Sequence, residues 1–195
     1  MALAHAILTI LTDTPSSGYD IGKRFEEQVS CFWKASSQQI YRELTKMEQQ
    51  GWLQHEVIAQ TGKPDKKLYS LTAAGRQEWQ RWYTAPTEPT PIREDLLVKV
   101  LAGAHVAPEQ VRQAVLLRRH RHAQQLQLYR RTEAEEFPPN AMTRSQQFSY
   151  LTLRRGLRYE QDWLAWCDEV LTFLDEQAAA DSPSALPDTS ALPLQ

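Results

Sequence analysis

The order of apolar and polar residues predicts three short helices in the first fifty positions. The first spans residues 3–11, where leucine and isoleucine recur at helical intervals until the turn-forming TDTPSSG. The second is GYDIGKRFEEQV, residues 18–29, with one apolar residue per turn on one face. Ser16 or Ser17 can cap its first turn, where Asp20 suits the positive end of the helix dipole.

The third predicted helix is SSQQIYRELTKMEQQ, residues 36–50. Ser36 or Ser37 is a suitable N-cap, an apolar stripe follows at i, i+4 and i+7, and Gly51 can end the helix. The period then changes, because WLQHEVIAQ and KKLYSLT are rich in strand-forming residues and flank the turn TGKPD. Three helices followed by a β-hairpin predict a winged helix-turn-helix domain.

A proline-rich segment divides the chain. Thr72 can cap a fourth helix, AAGRQEWQRWYT, after which APTEPTP places three prolines in seven residues and can continue neither helix nor strand. The sequence therefore predicts a winged helix-turn-helix domain over residues 1–84 and a linker over 85–92. A mainly α-helical dimerisation domain is expected over 93–177, and the proline-bearing tail, 178–195, is expected to be disordered.

The second domain is predicted to hold a short helix within residues 92–105, a long one from Pro108 to Phe137, and another over about residues 143–177. The last helix carries apolar residues at alternating steps of four and three, a spacing typical of a helix that packs on another helix. These are Tyr159, Trp163, Trp166, Val170 and Phe173. A monomer of 195 residues could not easily cover this seam, so the sequence predicts a homodimer that pairs through it.

Composition and charge restrict the function only loosely. The 195 residues are 42% hydrophobic and 24% charged, as in ordinary globular proteins, and no apolar run approaches the roughly 18 residues of a membrane span. The N-terminus lacks the basic region of a signal peptide, so we expect a cytoplasmic protein without a membrane partner. Cys31 and Cys167 lie far apart and are expected to be packing residues, with a redox-sensing Cys31 as the alternative.

The sequence contains no recognisable catalytic, metal or cofactor site. His120 and His122 are two positions apart on a predicted helix, so their side chains diverge and cannot share a metal ion. A glycine-rich phosphate loop and a nucleophile elbow are both missing from the sequence. The basic run RRHRH, residues 118–122, is best interpreted as the solvated side of a helix. An enzyme is therefore not expected.

The third helix instead has the chemistry of a DNA-recognition helix. Its N-terminal half offers short polar or planar side chains, and its first acid, Glu43, comes only after two turns have begun. Glutamine can pair with adenine and arginine with guanine, while lysines suit phosphates. The candidate DNA contacts are Lys34, Ser36, Ser37, Gln38, Tyr41 and Arg42, with Lys63, Lys66 and Lys67 at the hairpin tip. Tyr41 can alternatively stack beneath the helix as core.

This local concentration of basic residues is hidden in the overall charge. The net charge is −2 for the whole chain, +1 for residues 1–83 and −3 for residues 84–195. A solvated helix followed by a basic turn would explain either feature alone, but both lie where a winged helix would meet DNA. Two other classes stay open: a winged-helix module that binds a protein partner, and a ligand-binding enzyme of unknown chemistry.

Three runs resemble the PadR-like transcriptional regulators in their order and spacing: ILTILTDTPSSGYDIGKRF, SSQQIYRELTKMEQQGWL and KKLYSLTAAGRQEW. Residues 18–21 match the Gly-Tyr-Asp-Ile start of the family's second helix, residues 39–52 its Gln-Ile-Tyr run, and residues 69–75 its Tyr-x-Leu-Thr-x-x-Gly signature. REDLLVKVLAGAHVAPEQV, residues 93–111, is similar to the start of the virulence-activator type C-terminal helical domain of longer members.

The resemblance implies a homodimeric winged-helix regulator, usually a repressor and occasionally an activator. A dimer whose two recognition helices enter successive major grooves of double-stranded DNA predicts an inverted-repeat operator. Some members are released by phenolic acids or flat aromatic compounds. The six tryptophans can line a pocket for such an effector or simply pack. By position, the resemblance implies DNA contacts by Tyr19, Ser36, Gln38, Tyr41, Arg42 and the wing lysines, with Tyr19 on a phosphate. Trp52 departs from the family pattern, where a smaller aliphatic residue is usual.

Overall fold

A computed structural model describes residues 2–26, 35–60, 62, 65–91, 93–138 and 142–181. The protein is mainly helical with a small antiparallel sheet, which confirms the predicted fold class. Its elements are α1 (Ala2–Ile10), β1 (Ser16–Ser17), α2 (Gly18–Arg24), α3 (Ser37–Gln49), β2 (Leu53–Ile58), β3 (Lys66–Leu71), α4 (Ala73–Thr84), α5 (Asp95–Leu101), α6 (Pro108–Glu136) and α7 (Arg144–Asp181).

The chain divides into two compact units, Met1–Pro91 with Arg131–Gly156 and Ile92–Arg130 with Leu157–Gln195. In the described part of the chain, no helix is both long enough and apolar enough to cross a membrane.

The sheet has three strands in the order β1-β3-β2, although the sequence predicted only the β2–β3 hairpin. Strand β1 is just two residues long, with Ser16 opposite Tyr69 and Ser17 opposite Leu68. Both serines are buried. A strand this short lies inside a turn-rich segment and has no periodicity of its own, so its pairing could not be detected from local sequence.

The boundaries of α3 follow from its terminal residues. Ser36 is the N-cap and forms a capping box with Gln39: the Ser36 hydroxyl accepts from the Gln39 N–H at 3.3 Å, and the Gln39 side-chain oxygen accepts from the Ser36 N–H at 2.8 Å. Gly51 has a φ of 72°, and the N–H of Trp52 donates to the Met47 carbonyl at 2.9 Å. This is the left-handed glycine ending that the sequence predicts.

The core of the first unit is formed by the apolar stripes of its helices. Helix α2 spans Gly18–Arg24, Phe25 and Glu26 continue as a π-helical turn, and the rest of the predicted helix, with Val29 of its expected stripe, lies outside the described residues. The buried side chains are Ala4, Ile7, Leu8, Ile10 and Leu11 of α1 and its end, Ile21 and Phe25 of α2 and its end, Ile40, Leu44 and Met47 of α3, and Leu53, Tyr69 and Leu71 of the sheet. The polar positions of α3 therefore point away from this core.

Helix α4 is joined to α1 by polar and aromatic contacts. The His5 Nε2 lies 3.0 Å from a carboxylate oxygen of Glu78, and the His5 ring stacks on Trp82 at 4.8 Å. Arg81, and after it His5, lower the pKa of Glu78 to about 2, so the carboxylate stays charged at neutral pH. The indole N–H of Trp79 donates to the Thr9 hydroxyl at 3.0 Å. These two tryptophans therefore have packing roles.

The second unit is centred on α5, α6 and α7. Its core consists of Leu96, Val111, Val115, Cys167 and Leu174. Ion pairs flank it, with Arg118 bonded to Glu94 at 2.6 Å and Arg119 to Asp168 at 2.6 Å. Cys167 is fully buried, and burial raises the pKa of its thiol, as suits a packing residue.

Helix α7 extends beyond its predicted end at about residue 177, since residues 178–181, expected in the tail, are helical. Three alanines at positions 178–180 favour helix, which explains the extension. Residues 182–195 lie outside the described part of the chain.

The predicted dimer seam on α7 is only partly open. Trp163, Trp166 and Val170 pack against the core of their own unit, whereas Tyr159 and Phe173 are 41% and 57% exposed. His122 stacks on Trp163 at a ring distance of 4.9 Å and bonds to Glu160. The heptad-like spacing therefore serves intrachain packing in part.

The start of α4 lies against the end of α3. The Thr72 hydroxyl caps α4 by accepting from the Gly75 N–H at 3.0 Å, and it donates to the Gly51 carbonyl at 2.6 Å. A Cβ at Gly75 would lie 2.1 Å from the Trp52 carbonyl oxygen, well inside contact distance. The Tyr-x-Leu-Thr-x-x-Gly signature thus contains the cap and the close approach that hold this joint together.

We expect Gly75→Ala to destabilise the protein by about 2 kcal/mol or more, because the added methyl group must displace backbone. Gly22→Ala is the matched control. Its Cβ would meet only the Ile40 Cδ1, at 4.0 Å, and alanine favours helix, so the protein should be stabilised by roughly 0.5 kcal/mol. Urea unfolding followed by circular dichroism measures both. Equal effects of the two substitutions would contradict the role of the Trp52 contact.

Candidate nucleic-acid interface

The N-terminal half of α3 presents its polar residues to solvent. Ser37, Gln38 and Arg42 are exposed, while Ile40 and Leu44 on the opposite side are buried. This arrangement is the one that a recognition helix requires, because base edges are reached by the outward face of the helix.

The capping box gives the two neighbouring glutamines different roles. Gln39 is tied to the Ser36 backbone through its side-chain oxygen, whereas Gln38 is exposed and takes no part in the capping box. The oxygen of the Ser36 hydroxyl accepts from the helix, but its proton remains available as a donor. Of the two, Gln38 is therefore the candidate for base contacts.

Tyr41 packs on the start of α2. A Cβ at Gly18 would lie 2.4 Å from the Tyr41 Cε1, so only glycine permits the ring to lie where it does. The ring is still 49% exposed. Tyr41 therefore belongs neither wholly to the core nor wholly to the surface, and it joins the Gly-Tyr-Asp-Ile motif to the recognition helix.

A groove of about 590 Å³ lies between the start of α2, Tyr41 of α3 and the hairpin. It is lined by Ser17, Gly18, Tyr19, Tyr41, Gln60, Asp65, Lys66, Lys67 and Tyr69. Tyr19 is 73% exposed at this groove, although only the family resemblance had singled it out. Four predicted contact residues, from three separate elements, thus share one surface. Lys34 and Lys63 lie outside the described residues.

One acidic residue at this surface was not expected. The Asp20 carboxylate accepts a hydrogen bond from the Ser17 hydroxyl at 2.7 Å and lies 3.0 Å from the Lys66 ammonium. The hydrogen bond from Ser17 lowers the pKa of Asp20 most, and the contact with Lys66 lowers it further. The sequence predicted for Asp20 only a favourable position at the helix dipole, because the pairing of β1 with β3 that brings Lys66 close has no local sequence signal.

Gln60 and Tyr69, which also line the groove, were missed as well. Burial, together with the charge of Glu48, raises the pKa of the Tyr69 hydroxyl, so Tyr69 is neutral at physiological pH. As far as the structure describes the chain, three or more His, Cys, Asp or Glu side chains do not gather as metal ligands would.

Two family models match different parts of the chain. Residues 7–81 match the family described as Transcriptional regulator PadR-like, and residues 92–175 match Virulence activator alpha C-term. A probable transcriptional regulator of Mycobacterium tuberculosis is 36% identical over 188 residues, covering 91% of this chain and 100% of the relative.

Two other relatives are known in three dimensions. The negative transcriptional regulator PadR of Bacillus subtilis is 27% identical over 178 residues, covering 89% of this chain and 98% of PadR. Its crystal structure in complex with operator DNA has a TM-score of 0.79 at 25% identity and covers 90% of this chain and 100% of that chain. A structure of PadR in complex with p-coumaric acid has a TM-score of 0.74 at 24% identity. It covers 90% of this chain and 99% of that chain.

The structure of the Vibrio cholerae virulence activator AphA has a TM-score of 0.76 at 35% identity and covers 90% of this chain and 99% of AphA. These findings confirm the resemblance carried by the three sequence motifs. The chain therefore belongs to the PadR-like family: it is a DNA-binding transcriptional regulator with a winged-helix fold, and it is not an enzyme.

Proposed function

We propose that this protein binds an inverted-repeat operator as a homodimer and represses transcription there. The observation that carries the proposal is the shared surface formed by the exposed half of α3 and the groove beside it. In a dimer, two such surfaces related by a two-fold axis would enter successive major grooves. The half-sites should then lie about 10 bp apart, or a small multiple of that distance.

Within this proposal the residues divide into base-reading and phosphate-binding groups. Gln38 pairs with adenine and Arg42 with guanine, because their side chains offer the matching planar donors and acceptors. Lys67 and Tyr19 are both exposed at the groove and bind phosphates. Ser36, Ser37 and Tyr41 contact the DNA backbone beside them. Lys34 and Lys63 join the phosphate-binding group on the basis of their charge and position in the sequence.

The dimer is supported by apolar side chains that the chain leaves uncovered. In the second unit, Leu101 is 86% exposed and Val98 65%, and Leu117 and Phe173 are each more than half exposed. Contiguous exposed apolar patches often mark interaction sites, and Val98 and Leu101, three residues apart on α5, share one helix face. Tyr159 and Phe173 are the residues of the predicted seam most open to a second copy.

Repression is supported by the relative that is named a negative regulator, since an operator-bound dimer can block access to a promoter. Activation is the second candidate, because AphA, at 35% identity, is named a virulence activator. The surface that binds DNA is the same in both cases. The two differ in where the operator lies relative to the promoter, which reporter fusions distinguish.

A small aromatic effector belongs to the same proposal. It is supported by the complex of PadR with p-coumaric acid and by the aromatic content of the second unit. Against it stand the packing contacts of the described tryptophans. Trp79 bonds to Thr9, Trp82 stacks on His5, and Trp163 stacks on His122.

Selection from random duplexes should yield an inverted repeat. Gln38→Ala or Arg42→Ala should then relax the preference at one base pair by about 1–3 kcal/mol, whereas Lys67→Ala should weaken binding to every sequence and lower the salt slope by about one. Gln49→Ala, at the far end of α3, is the matched control and should leave the preference unchanged.

If Gln38→Ala weakens binding to all duplexes equally, Gln38 does not read bases. If Lys67→Ala has no effect, a protein-binding role gains support.

The oligomeric state can be measured by sedimentation at micromolar concentration, where we expect a dimer. Phe173→Glu should shift the protein towards monomer, because it places a charge on an exposed apolar position of α7. Gln161→Glu adds the same charge at an exposed polar position of the same helix and should leave the dimer intact. A monomeric wild-type protein would refute the dimer.

Effector binding can be tested by titrating p-coumaric acid against operator complexes that carry a fluorescent label. We expect a saturable loss of anisotropy, together with a change in tryptophan emission after correction for absorption by the ligand. Cyclohexanecarboxylic acid, which has a carboxylate but no aromatic ring, should have no effect. If no phenolic acid in a panel changes the anisotropy or the tryptophan emission, the tryptophans only pack.

A further inference from the structure

An acidic side chain lies at the edge of the surface proposed to meet phosphate. Asp20 follows Tyr19 directly, and its carboxylate contacts the ammonium of Lys66, which lines the groove. Both side chains are partly open, at 42% for Asp20 and 37% for Lys66. A carboxylate here repels phosphate, so its effect on DNA binding needs an explanation.

The position of Asp20 is fixed by backbone and not only by flexible side chains. Strand β1 holds Ser17 opposite Leu68 of β3, and Ser17 then caps α2. The Ser17 hydroxyl donates to the Asp20 carboxylate at 2.7 Å and accepts from the Asp20 N–H at 3.2 Å. The carboxylate is therefore presented to the first residue of β3, which is Lys66.

The ion pair masks the positive charge of Lys66. While the Asp20 carboxylate holds it, Lys66 adds little to the attraction for DNA, in contrast to the exposed Lys67. An ion pair this open to solvent is weak, so a phosphate brought into the groove can replace the carboxylate. The Ser17 hydroxyl remains bonded to Asp20 after the exchange and partly compensates for the loss of Lys66.

We propose that Asp20 is a specificity-determining residue that holds Lys66 away from the phosphates of non-operator DNA and releases it when α3 is seated in the operator. This inference rests on the proposed DNA surface. In a loosely bound, non-operator complex no phosphate lies close enough to displace the Asp20 carboxylate, so Lys66 stays paired with Asp20, although without that carboxylate its side chain could extend to a nearby phosphate. In the operator complex, α3 lies deep in the major groove and brings a phosphate beside Tyr19 and Lys66.

Asp20→Asn tests this directly, because asparagine keeps the shape and an oxygen for the Ser17 hydroxyl but removes the charge that holds Lys66. Affinities are measured for the operator and for a scrambled duplex of equal length, over a range of salt concentrations. We expect affinity for the scrambled duplex to rise about tenfold and its salt slope to steepen by about one, as for one added phosphate contact. Operator affinity should rise less than about threefold.

Asp65→Asn is the matched control, because it removes a negative charge from the same groove while the Asp20–Lys66 pair stays in place. It should raise both affinities by the same factor. Lys66→Gln gives an independent test. It should weaken operator binding about tenfold while changing binding to the scrambled duplex less than about twofold. In the double variant of Asp20→Asn with Lys66→Gln, the gain on scrambled DNA should disappear.

The inference is overturned if Asp20→Asn changes both affinities equally, or if its effect persists without Lys66. It is also overturned if Lys66→Gln weakens binding to both duplexes by the same factor. That test remains valid even if thermal unfolding shows that Asp20→Asn is unstable. Failure of the proposed function gives a different result, in which the wild-type protein does not distinguish the selected operator from the scrambled duplex.

Discussion

The close approach of α2 to α3 at Gly18 is the constraint on which the proposed DNA-binding surface depends. With no side chain at this position, the Tyr41 ring lies over the first turn of α2, and Tyr19 and Asp20 follow directly beside it. The same turn is tied to β3 through β1, so the hairpin is positioned relative to the recognition helix by contacts on both sides. A larger residue at Gly18 would have to displace Tyr41 and alter the groove.

Most elements of the first unit could be predicted from residues that lie close together in the sequence. Both ends of α3 and the start of α4 were predictable, because Ser36, Gly51 and Thr72 act on the backbone of residues close to them in the chain. The outward face of α3 was predictable from the spacing of Ile40, Leu44 and Met47, which fixes the opposite face once the core is known. Most of the fold of this unit is therefore encoded within short windows of sequence.

What the sequence did not reveal involves pairs that are distant along the chain. The contact of Asp20 with Lys66 depends on the register of a two-residue strand, for which periodicity offers no signal. The seam on α7 illustrates a different limit. Spacing indicates that one face of a helix is covered, but not whether the cover is the same chain, as for Trp163, or another, as we propose for Phe173.

The capping box at the start of α3 has a thermodynamic consequence for association with DNA. Because Ser36 and Gln39 satisfy each other's donors in the free protein, the first turn is ordered before any partner arrives. The loss of conformational entropy that would accompany ordering this turn is borne during folding and not at the moment of complex formation. The base contacts proposed for residues on that turn would therefore contribute to affinity with little entropic penalty.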